Sequence, residues 1–293
     1  MSKLRFDGKT VVVTGAGRGL GHAHTVMFAA RGANVVVNDL AGADQAAEGI
    51  SATGAQAVAD GHDISTPEGA AGLARTAFDA FGSVDVLVNN AGVGRFAPFA
   101  EEKQADFDLI MKVNVAGIYH VTRAFWPHFV ARGQGRVVNT TSPAGMLGNA
   151  GQAAYSMSKG AIYALTRSLA VEGAEHNISV SAIAPGAFTD MAAQSLTGHD
   201  ATLARLREEM PSELVSPVVL YLAHETSPAS GITLDAGGGR VGAFFTGSTL
   251  GIVDRALTPE VVAARWDEII DRTGYEVLPD GNSLIALRRP AKD

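Results

Sequence analysis

The sequence predicts an α/β fold: a doubly wound parallel sheet held between two helix layers, three layers (αβα) in all, followed by a C-terminal extension. Three observations carry that expectation. Over the first 190 residues, short β-branched runs alternate with longer Ala-rich segments of helical spacing. The strand-like runs are almost continuously apolar, as strands are when helices cover both faces of their sheet. A glycine-rich stretch, "TGAGRGLG", stands directly between the first strand and the first helix.

Taken in order, strands are expected at "TVVVTG" (10–15), "NVVVND" (34–39), "QAVAD" (56–60), "VDVLVNN" (84–90), "GRVVNTTS" (135–142) and "ISVSAIAP" (178–185). Helical segments lie between them, as at 19–31, 67–81 and 152–175. This alternation argues for βαβ units and a parallel sheet. A helical stretch near 212–224 leads into a last short strand, "GITLDAG" (231–237). No internal repeat, low-complexity tract or Pro/Ser linker marks a second core domain. Residues 188–212 are polar, irregular in hydrophobic spacing and follow a strand end, where open α/β sheets carry their binding loops. The reading is therefore a catalytic domain at 1–240 with a substrate loop at about 188–212, and an extension at 241–293. Within the extension, "TPEVVAARWDEIIDRTG" (258–274) predicts one helix, with Thr258 as N-cap, Pro259 at the first helical position and Gly274 as its stop. Its stripe of Val261, Val262, Trp266, Ile269 and Ile270 is expected to pack on its own domain or on a partner subunit.

Composition excludes several classes. The 293 residues are 46% hydrophobic and 18% charged, the profile of a globular protein with a substantial core. Cysteine is absent, which rules out disulfides, thiolate metal sites and cysteine nucleophiles and fits a reducing compartment. The formal charge is −7 with no block of Lys or Arg, so no nucleic-acid partner is expected. Strand-like sequence begins within ten residues of the start, leaving no room for a signal peptide, and no apolar run approaches the ~18 residues a membrane helix needs. A cytoplasmic protein without membrane contact is the expectation.

The glycine stretch does not follow G-x-G-x-x-G. It fits G-x-x-x-G-x-G through Gly15, Gly19 and Gly21. Glycines there let the backbone approach a pyrophosphate, and the helix start offers unpaired N–H groups to it. Gly15, Arg18, Gly19, Leu20 and Gly21 are thus candidate cofactor contacts. The second strand ends in Asp39, 18 residues after Gly21. A carboxylate there accepts from ribose hydroxyls and repels a 2′-phosphate, favouring NAD over NADP. Arg18, which can pair with such a phosphate, argues the other way. Asp63, followed by Ile64 in "GHDIS", is placed to receive an adenine amino group, or else to cap a helix. His22, His24 and His62 lack partners at ligand spacing and receive no chemistry; no metal is expected.

At the other end of the domain, "QAAYSMSK" places Tyr155 and Lys159 one helical turn apart on the same face. A free tyrosine, with a pKa of about 10, is a poor base at neutral pH, so a lysine cation one turn away, aided by the positive charge of a bound nicotinamide, is expected to favour its phenolate. Together, "TGAGRGLG", "NNAG" (89–92), the serine of "TTSPAG" (Ser142), "YSMSK" and "APG" (184–186) occur in the order seen in short-chain dehydrogenases/reductases, and residues 6 to about 240 resemble that family. The resemblance implies a Rossmann-type fold and oxidation of an alcohol, with Tyr155 as base, Lys159 as its activator and nicotinamide-ribose ligand, and Ser142 holding the substrate oxygen. It implies that Asn114, in "KVNVAG", anchors a water on the proton's route to solvent. It further implies that Asn90, Ala91, Gly92, Pro185 and Thr189 line the cofactor, and that the protein is a homodimer or homotetramer.

Substrate is a finer question. "GNAGQAAYSMSK", "LVSPVVLYLAHE" and a tail containing "LTPEVVAARWDEI" resemble the (3R)-hydroxyacyl-CoA dehydrogenase unit of multifunctional β-oxidation enzymes and its bacterial stand-alone relatives. The loop after Thr189 looks longer than in that group, and the segment "NDLAGADQAAEG" lacks its insertion. A 3-hydroxyacyl-CoA, fatty or sterol, is the leading expectation. A steroid, cyclic or terpenoid alcohol is the alternative, and a non-catalytic dinucleotide-binding module is the reading from a different class.

Overall fold

The computed structural model describes residues 3–188 and 200–284. The chain divides into two compact units, Met1–Ala243 and Phe244–Asp293.

The first unit is built on a sheet of eight strands: β1 (Thr10–Thr14), β2 (Asn34–Asn38), β3 (Ala57–Asp60), β4 (Val86–Asn89), β5 (Gly135–Thr140), β6 (Ile178–Gly186), β7 (Thr233–Gly237) and β8 (Arg240–Phe244). Their order is β3-β2-β1-β4-β5-β6-β7-β8. All pairings from β3 across to β7 are parallel. In β1, Val12 stands opposite Val36 of β2 on one side and Leu87 of β4 on the other. The chain winds outward from β1 to β3, then starts again from β1's other edge at β4. That reversal opens a crevice at the carboxyl ends of β1 and β4, where ligands of such sheets bind.

Helices α1 (Gly19–Ala30), α2 (Ala43–Ser51), α3 (Pro67–Phe81), α4 (Gln104–Ile110), α5 (Ile118–Arg132), α6 (Pro143–Leu147), α7 (Ala153–Gly173), α8 (Asp200–Glu209) and α9 (Ser216–Ala223) complete this unit among the described residues. Side chains alternate along each strand. Val11, Val13, Val35, Val37, Val86 and Val88 face a layer that includes Phe28 of α1 and Leu222 of α9. Val12, Val36 and Leu87 face the opposite layer, with Leu73 of α3 and Phe125 and Phe129 of α5. Both faces are covered, which accounts for the unbroken apolar strands. Each of these phenylalanines contributes about 1.5–3 kcal/mol by leaving water.

Four features depart from the sequence reading. An eighth strand follows β7, because Gly238 and Gly239 both take positive φ (55° and 81°) and reverse the chain in two residues. Residues 200–209, expected to be irregular, form α8, whose "LARLREE" is rich in helix formers. The helix α4 runs into α5 through a π-helical turn, Met111–Gly117, that carries Asn114. In the second unit the single helix expected at 258–274 is two short ones, α10 (Pro259–Ala264) and α11 (Trp266–Ile270), separated at Arg265. Thr258 caps α10 through Val261 N–H, as expected. The second helix stops before Gly274 because the Asp271 carboxylate accepts from Thr273 N–H at 2.8 Å and turns the chain. The second unit is closed by an antiparallel bridge between Ser248 and Glu276 and by stacking of Phe245 on Tyr275, ring centroids 5.8 Å apart.

Among the described residues, no helix is long and apolar enough to cross a membrane, and no cluster of His, Asp and Glu is arranged to hold a metal.

Candidate active site

The loop from β1 into α1 is shaped by close backbone approaches. A Cβ on Gly15 (φ +64) would lie 2.7 Å from Cα of Ala91, and one on Gly21 2.3 Å from the Gly15 carbonyl oxygen. These two glycines are required by packing of the protein on itself. Gly19 differs: its φ is +58, yet nothing stands within 4 Å of where its Cβ would be, so it faces open space. Arg18 heads α1 and is exposed, and half-buried Leu20 packs against the core.

Asp39 follows β2 and closes the loop from the side. One carboxylate oxygen accepts from Gly17 N–H at 3.0 Å and the other from Ala41 N–H at 3.2 Å. Asp39 therefore holds the glycine loop in place in addition to any ribose it meets. Asp63 accepts from Ser65 N–H at 2.9 Å, and its carboxyl is held below the usual carboxylate range chiefly by Ser65. The helix-capping alternative for Asp63 does not hold: Thr66 caps α3 by accepting from Gly69 N–H at 3.0 Å. Ile64 buries its side chain in the core against the Gly117 position.

"NNAG" does two jobs. Asn89, fully buried, donates to Thr122 of α5 (2.9 Å) and to Asn139 of β5 (2.8 Å), pinning the sheet's middle to a helix. Asn90 turns back on the loop, its amide donating to the carbonyls of Thr14 and Gly15, each at 3.0 Å. The Thr14 hydroxyl accepts from the N–H groups of Asn90 and Ala91, both at 3.1 Å. Gly92 keeps open the space beside Lys159: a Cβ there would lie 3.3 Å from Asn114 Oδ1 and 3.4 Å from Lys159 Nζ.

The helix α7 carries Tyr155 and Lys159. Lys159 is 3% exposed, its Nζ donating to the Thr140 carbonyl at 2.9 Å and lying 5.7 Å from the centre of the Tyr155 ring. Burial pulls its ammonium down to about 8. Ser142 follows β5 and caps α6, accepting from Ala144 N–H at 3.2 Å, and it also hydrogen-bonds the Tyr155 phenol. The short α6 is seated on α7 through Gly145, whose Cβ would stand 2.6 Å from the carbonyl carbon of Lys159. A glycine there lets the two helices approach closely enough for Ser142 to reach Tyr155.

The phenol's titration in the unliganded chain shows what Lys159 does without a nicotinamide. The helical spacing puts Lys159 where a cation would pull Tyr155 down, but in the unliganded chain burial pushes the phenol above its ordinary 10, the Ser142 hydrogen bond only opposing that rise. Desolvation of the phenolate is the larger of the two effects.

Asn114 also has a more definite role than the sequence suggested. Its Oδ1 accepts from Val93 N–H at 2.8 Å, and its Nδ2 donates to the Val93 carbonyl (2.9 Å) and the Ser158 hydroxyl (3.0 Å). Both amide hydrogens are engaged, so only lone-pair capacity on Oδ1 remains for a water. Pro185 is half-buried near the end of β6, paired with Ala236. Thr189 lies outside the described residues.

The structure adds groups that sequence reasoning missed. Phe96 packs edge-on against Tyr155, with ring centroids 5.6 Å apart. The buried Thr140 hydroxyl, at the carboxyl end of β5, has no hydrogen-bond partner. Main-chain groups of Thr140, Val93 and Gly17 position Lys159, Asn114 and Asp39, and such contacts leave no mark in a residue pattern. Two of the three histidines singled out above have partners elsewhere. His24 is buried, hydrogen-bonded to Ser216 at 2.8 Å and pulled by burial to about 3, and His62 pairs with buried Asp60 at 2.7 Å. A separate cleft of about 240 Å³ lies at the sheet's amino edge, lined by Lys9, Asp85, Arg136 and Glu225 among others, away from Tyr155.

A dinucleotide fits this set. The glycine loop is open at Gly19, the Asp39 carboxylate stands beside it, Gly92 leaves room beside Lys159, and an unpartnered hydroxyl waits at Thr140. A family model described as short chain dehydrogenase matches residues 9–200. The chain belongs to the short-chain dehydrogenase family. Like its relatives, this short-chain dehydrogenase is an oxidoreductase acting on CH–OH groups. It is 40% identical to peroxisomal multifunctional enzyme type 2 of Mus musculus, a match covering 92% of this chain and 38% of that enzyme. The chain thus spans well under half the length of that multifunctional relative, and the resemblance to such enzymes read from the sequence holds. It is 39% identical to a Mycobacterium tuberculosis protein assigned to the short-chain type dehydrogenases/reductases, over 92% of this chain and 96% of that one. The solved structure of a 7α-hydroxysteroid dehydrogenase complexed with NADH and 7-oxo glycochenodeoxycholic acid superposes with a TM-score of 0.74 at 34% identity, covering 82% of this chain and 98% of that one.

Proposed function

We propose that this dehydrogenase uses NAD to oxidise the secondary alcohol of a 3-hydroxyacyl-CoA, with Tyr155 as the base. The observation that carries the substrate class is how far each similarity extends. The steroid dehydrogenase matches 82% of the chain, about the length of the first unit, whereas the multifunctional enzyme matches 92% and so includes much of the second unit. The Mycobacterium tuberculosis dehydrogenase, at 92%, shares that reach, so the tail supports the multifunctional enzymes together with a stand-alone relative. NAD rather than NADP is supported by the Asp39 carboxylate beside the glycine loop, where a 2′-phosphate would meet like charge.

When bound, NAD supplies the hydride acceptor and a positive charge beside the phenol. Ser142 and Tyr155 then bracket the substrate oxygen, Ser142 by hydrogen bonding and Tyr155 by taking the hydroxyl proton as the C–H hydrogen departs as hydride. Lys159, its ammonium at about 8, is mostly protonated at pH 7 and supports the phenolate while holding the ribose. Asn114 Oδ1 and Lys159 Nζ border the space over Gly92, where a water would pass the proton outward. Gly15, Arg18, Gly19, Leu20 and Gly21 take the pyrophosphate, Asp63 and Ile64 the adenine, and Asn90, Ala91, Gly92 and Pro185 the nicotinamide side. Exposed Tyr119, Met157 and Val171 on α5 and α7 support assembly as a homodimer or homotetramer, and the lack of cysteine fits the reducing cytoplasm.

The test is NADH formation by the purified protein offered a (3R)-hydroxyacyl-CoA, its (3S) epimer and a free hydroxysteroid, with NADP in parallel. Strong preference for one thioester epimer with NAD is expected. Activity on the free alcohol alone would move the substrate to the steroid reading, which the 34% identity to the hydroxysteroid dehydrogenase favours.

A further inference from the structure

We propose that Glu102, a residue of the β4–α4 loop, is a positioning residue for Tyr155: it caps the helix that carries the base. The first helical hydrogen bond of α7 runs from Ser156 N–H to the Gln152 carbonyl, at 2.7 Å. The N–H groups of Ala153, Ala154 and Tyr155 therefore precede the ladder and need outside acceptors. Gln152, in the N-cap position, makes no side-chain cap. Its Oε1 instead accepts from the Asn149 side chain at 3.2 Å. The acceptor comes from elsewhere in the chain: Glu102 Oε1 takes the Ala154 N–H at 3.2 Å, one residue before Tyr155.

The surrounding contacts make this a brace rather than an isolated bond. The same loop meets the start of α7 where Ala97 N–H donates to the Gly151 carbonyl at 3.0 Å and where Phe96 packs on the Tyr155 ring. Its beginning is held by Asn114, which grips Val93 through both main-chain groups and reaches Ser158 of α7. The loop thus meets the start of α7 through Phe96, Ala97 and Glu102, and its Val93 end is tied to Ser158 by way of Asn114. Glu102 is the side chain in this set that meets a main-chain donor of α7. A carboxylate beside a phenol disfavours phenolate, so the role inferred is geometric: fixing the first turn sets where the phenol points toward Ser142.

This inference rests on Tyr155 being the base, and the experiment keeps the two apart. Steady-state turnover and NADH binding by fluorescence are measured for Tyr155→Phe, Glu102→Ala, Glu102→Gln, the double variant Glu102→Ala with Gln152→Asp, and Glu101→Ala as an exposed neighbouring control. Displacement of a reacting group by about 1 Å costs up to about 100-fold in rate, so kcat of Glu102→Ala is expected to fall about 10- to 100-fold. NADH affinity should stay within about twofold, a split that general unfolding would not give. Glu102→Gln keeps an acceptor oxygen and should retain kcat within about threefold. Asp at 152 supplies a local cap and should restore most of the loss. An inactive Tyr155→Phe together with a fully active Glu102→Ala would overturn the role of Glu102 alone. An active Tyr155→Phe would overturn the base. Should Glu102→Ala fail to fold, a folded Glu102→Gln with a tenfold or greater loss of kcat would equally sink the positioning role.

Discussion

The two edges of the sheet treat their charges in opposite ways. At the amino edge, charges face charges of opposite sign. Asp85 takes Arg132 at 3.1 Å and the Thr10 N–H at 2.9 Å, and Lys9 lies 3.5 Å from Glu225. At the carboxyl edge the three groups of the candidate site meet neutral dipoles. Asp39 accepts from two main-chain N–H groups, Tyr155 bonds the Ser142 hydroxyl, and buried Lys159 donates to a carbonyl. Among the described residues no carboxylate pairs with Lys159. Paired charges near the surface stabilise little and lack reserve for a ligand. Unpaired ones destabilise the bare protein but remain available to an incoming group, and strongly perturbed groups gather at functional sites for that reason. This contrast supports a structural role for the cleft at the amino edge and the proposed chemistry at the carboxyl edge.

The largest expected effect breaks the carboxyl edge outright. Tyr155→Phe should lower kcat by about 1,000-fold or more, the upper range for loss of an acid–base group, with NADH affinity nearly intact. Turnover near wild type would remove Tyr155 from the mechanism.

Next is the destabilisation attributed to Lys159. Its folded-state pKa of about 8 lies below its ordinary 10.5, so the fold disfavours the charged form. Below pH 8 folded and unfolded chains are both protonated there and the destabilisation is complete. Between 8 and 10.5 only the unfolded chain holds the proton, so stability rises with pH, and above 10.5 the penalty is gone. The gap corresponds to about 3 kcal/mol. In urea titrations Lys159→Met is expected to be more stable than wild type by about that amount at pH 7, while losing turnover. The difference should close toward pH 10.5, and a difference independent of pH would contradict the account.

A smaller effect sharpens the cofactor half of the comparison. Asp39→Ala removes a charged acceptor, and such bonds are worth about 10- to 100-fold. The ratio of kcat/KM with NADP to that with NAD should rise by at least about tenfold. Because Asp39 also holds Gly17, the NAD value itself should fall. The smallest effect belongs to the amino edge. Glu225→Gln breaks the pair with Lys9 and should change stability by less than about 0.5 kcal/mol and leave turnover unchanged. A large loss of activity there would erase the distinction between the edges.

What was legible in the sequence follows the same division. Tyr155, Lys159, Ser142 and the glycine loop could be read because their chemistry demands particular residues at particular spacings. The parallel sheet could be read because burial on both faces forces apolar strands. Glu102 and Phe96 could not, since they reach Tyr155 across a loop and nothing ties their spacing to residue 155. The Thr140 and Val93 main chains could not, because a carbonyl belongs to every residue. The upward push on Tyr155 stays hidden because a helical spacing tells where a cation lies but not how dry the phenol beside it is. His62 has no partner at metal-ligand spacing, yet Asp60, two residues before it, pairs with its ring. The strand β8 is hidden in "GGGR", where glycines that look like an ending make a turn.

The central claim is that Tyr155 is held poised, above its ordinary pKa in the bare protein, and becomes a base only with NAD beside it. The most direct test is an ultraviolet titration of tyrosinate, wild type minus Tyr155→Phe, with and without saturating NAD. The account predicts ionisation above pH 10 without NAD and at least about two pH units lower with it. Identical curves in both conditions, or ionisation well below 10 in the bare protein, would contradict it.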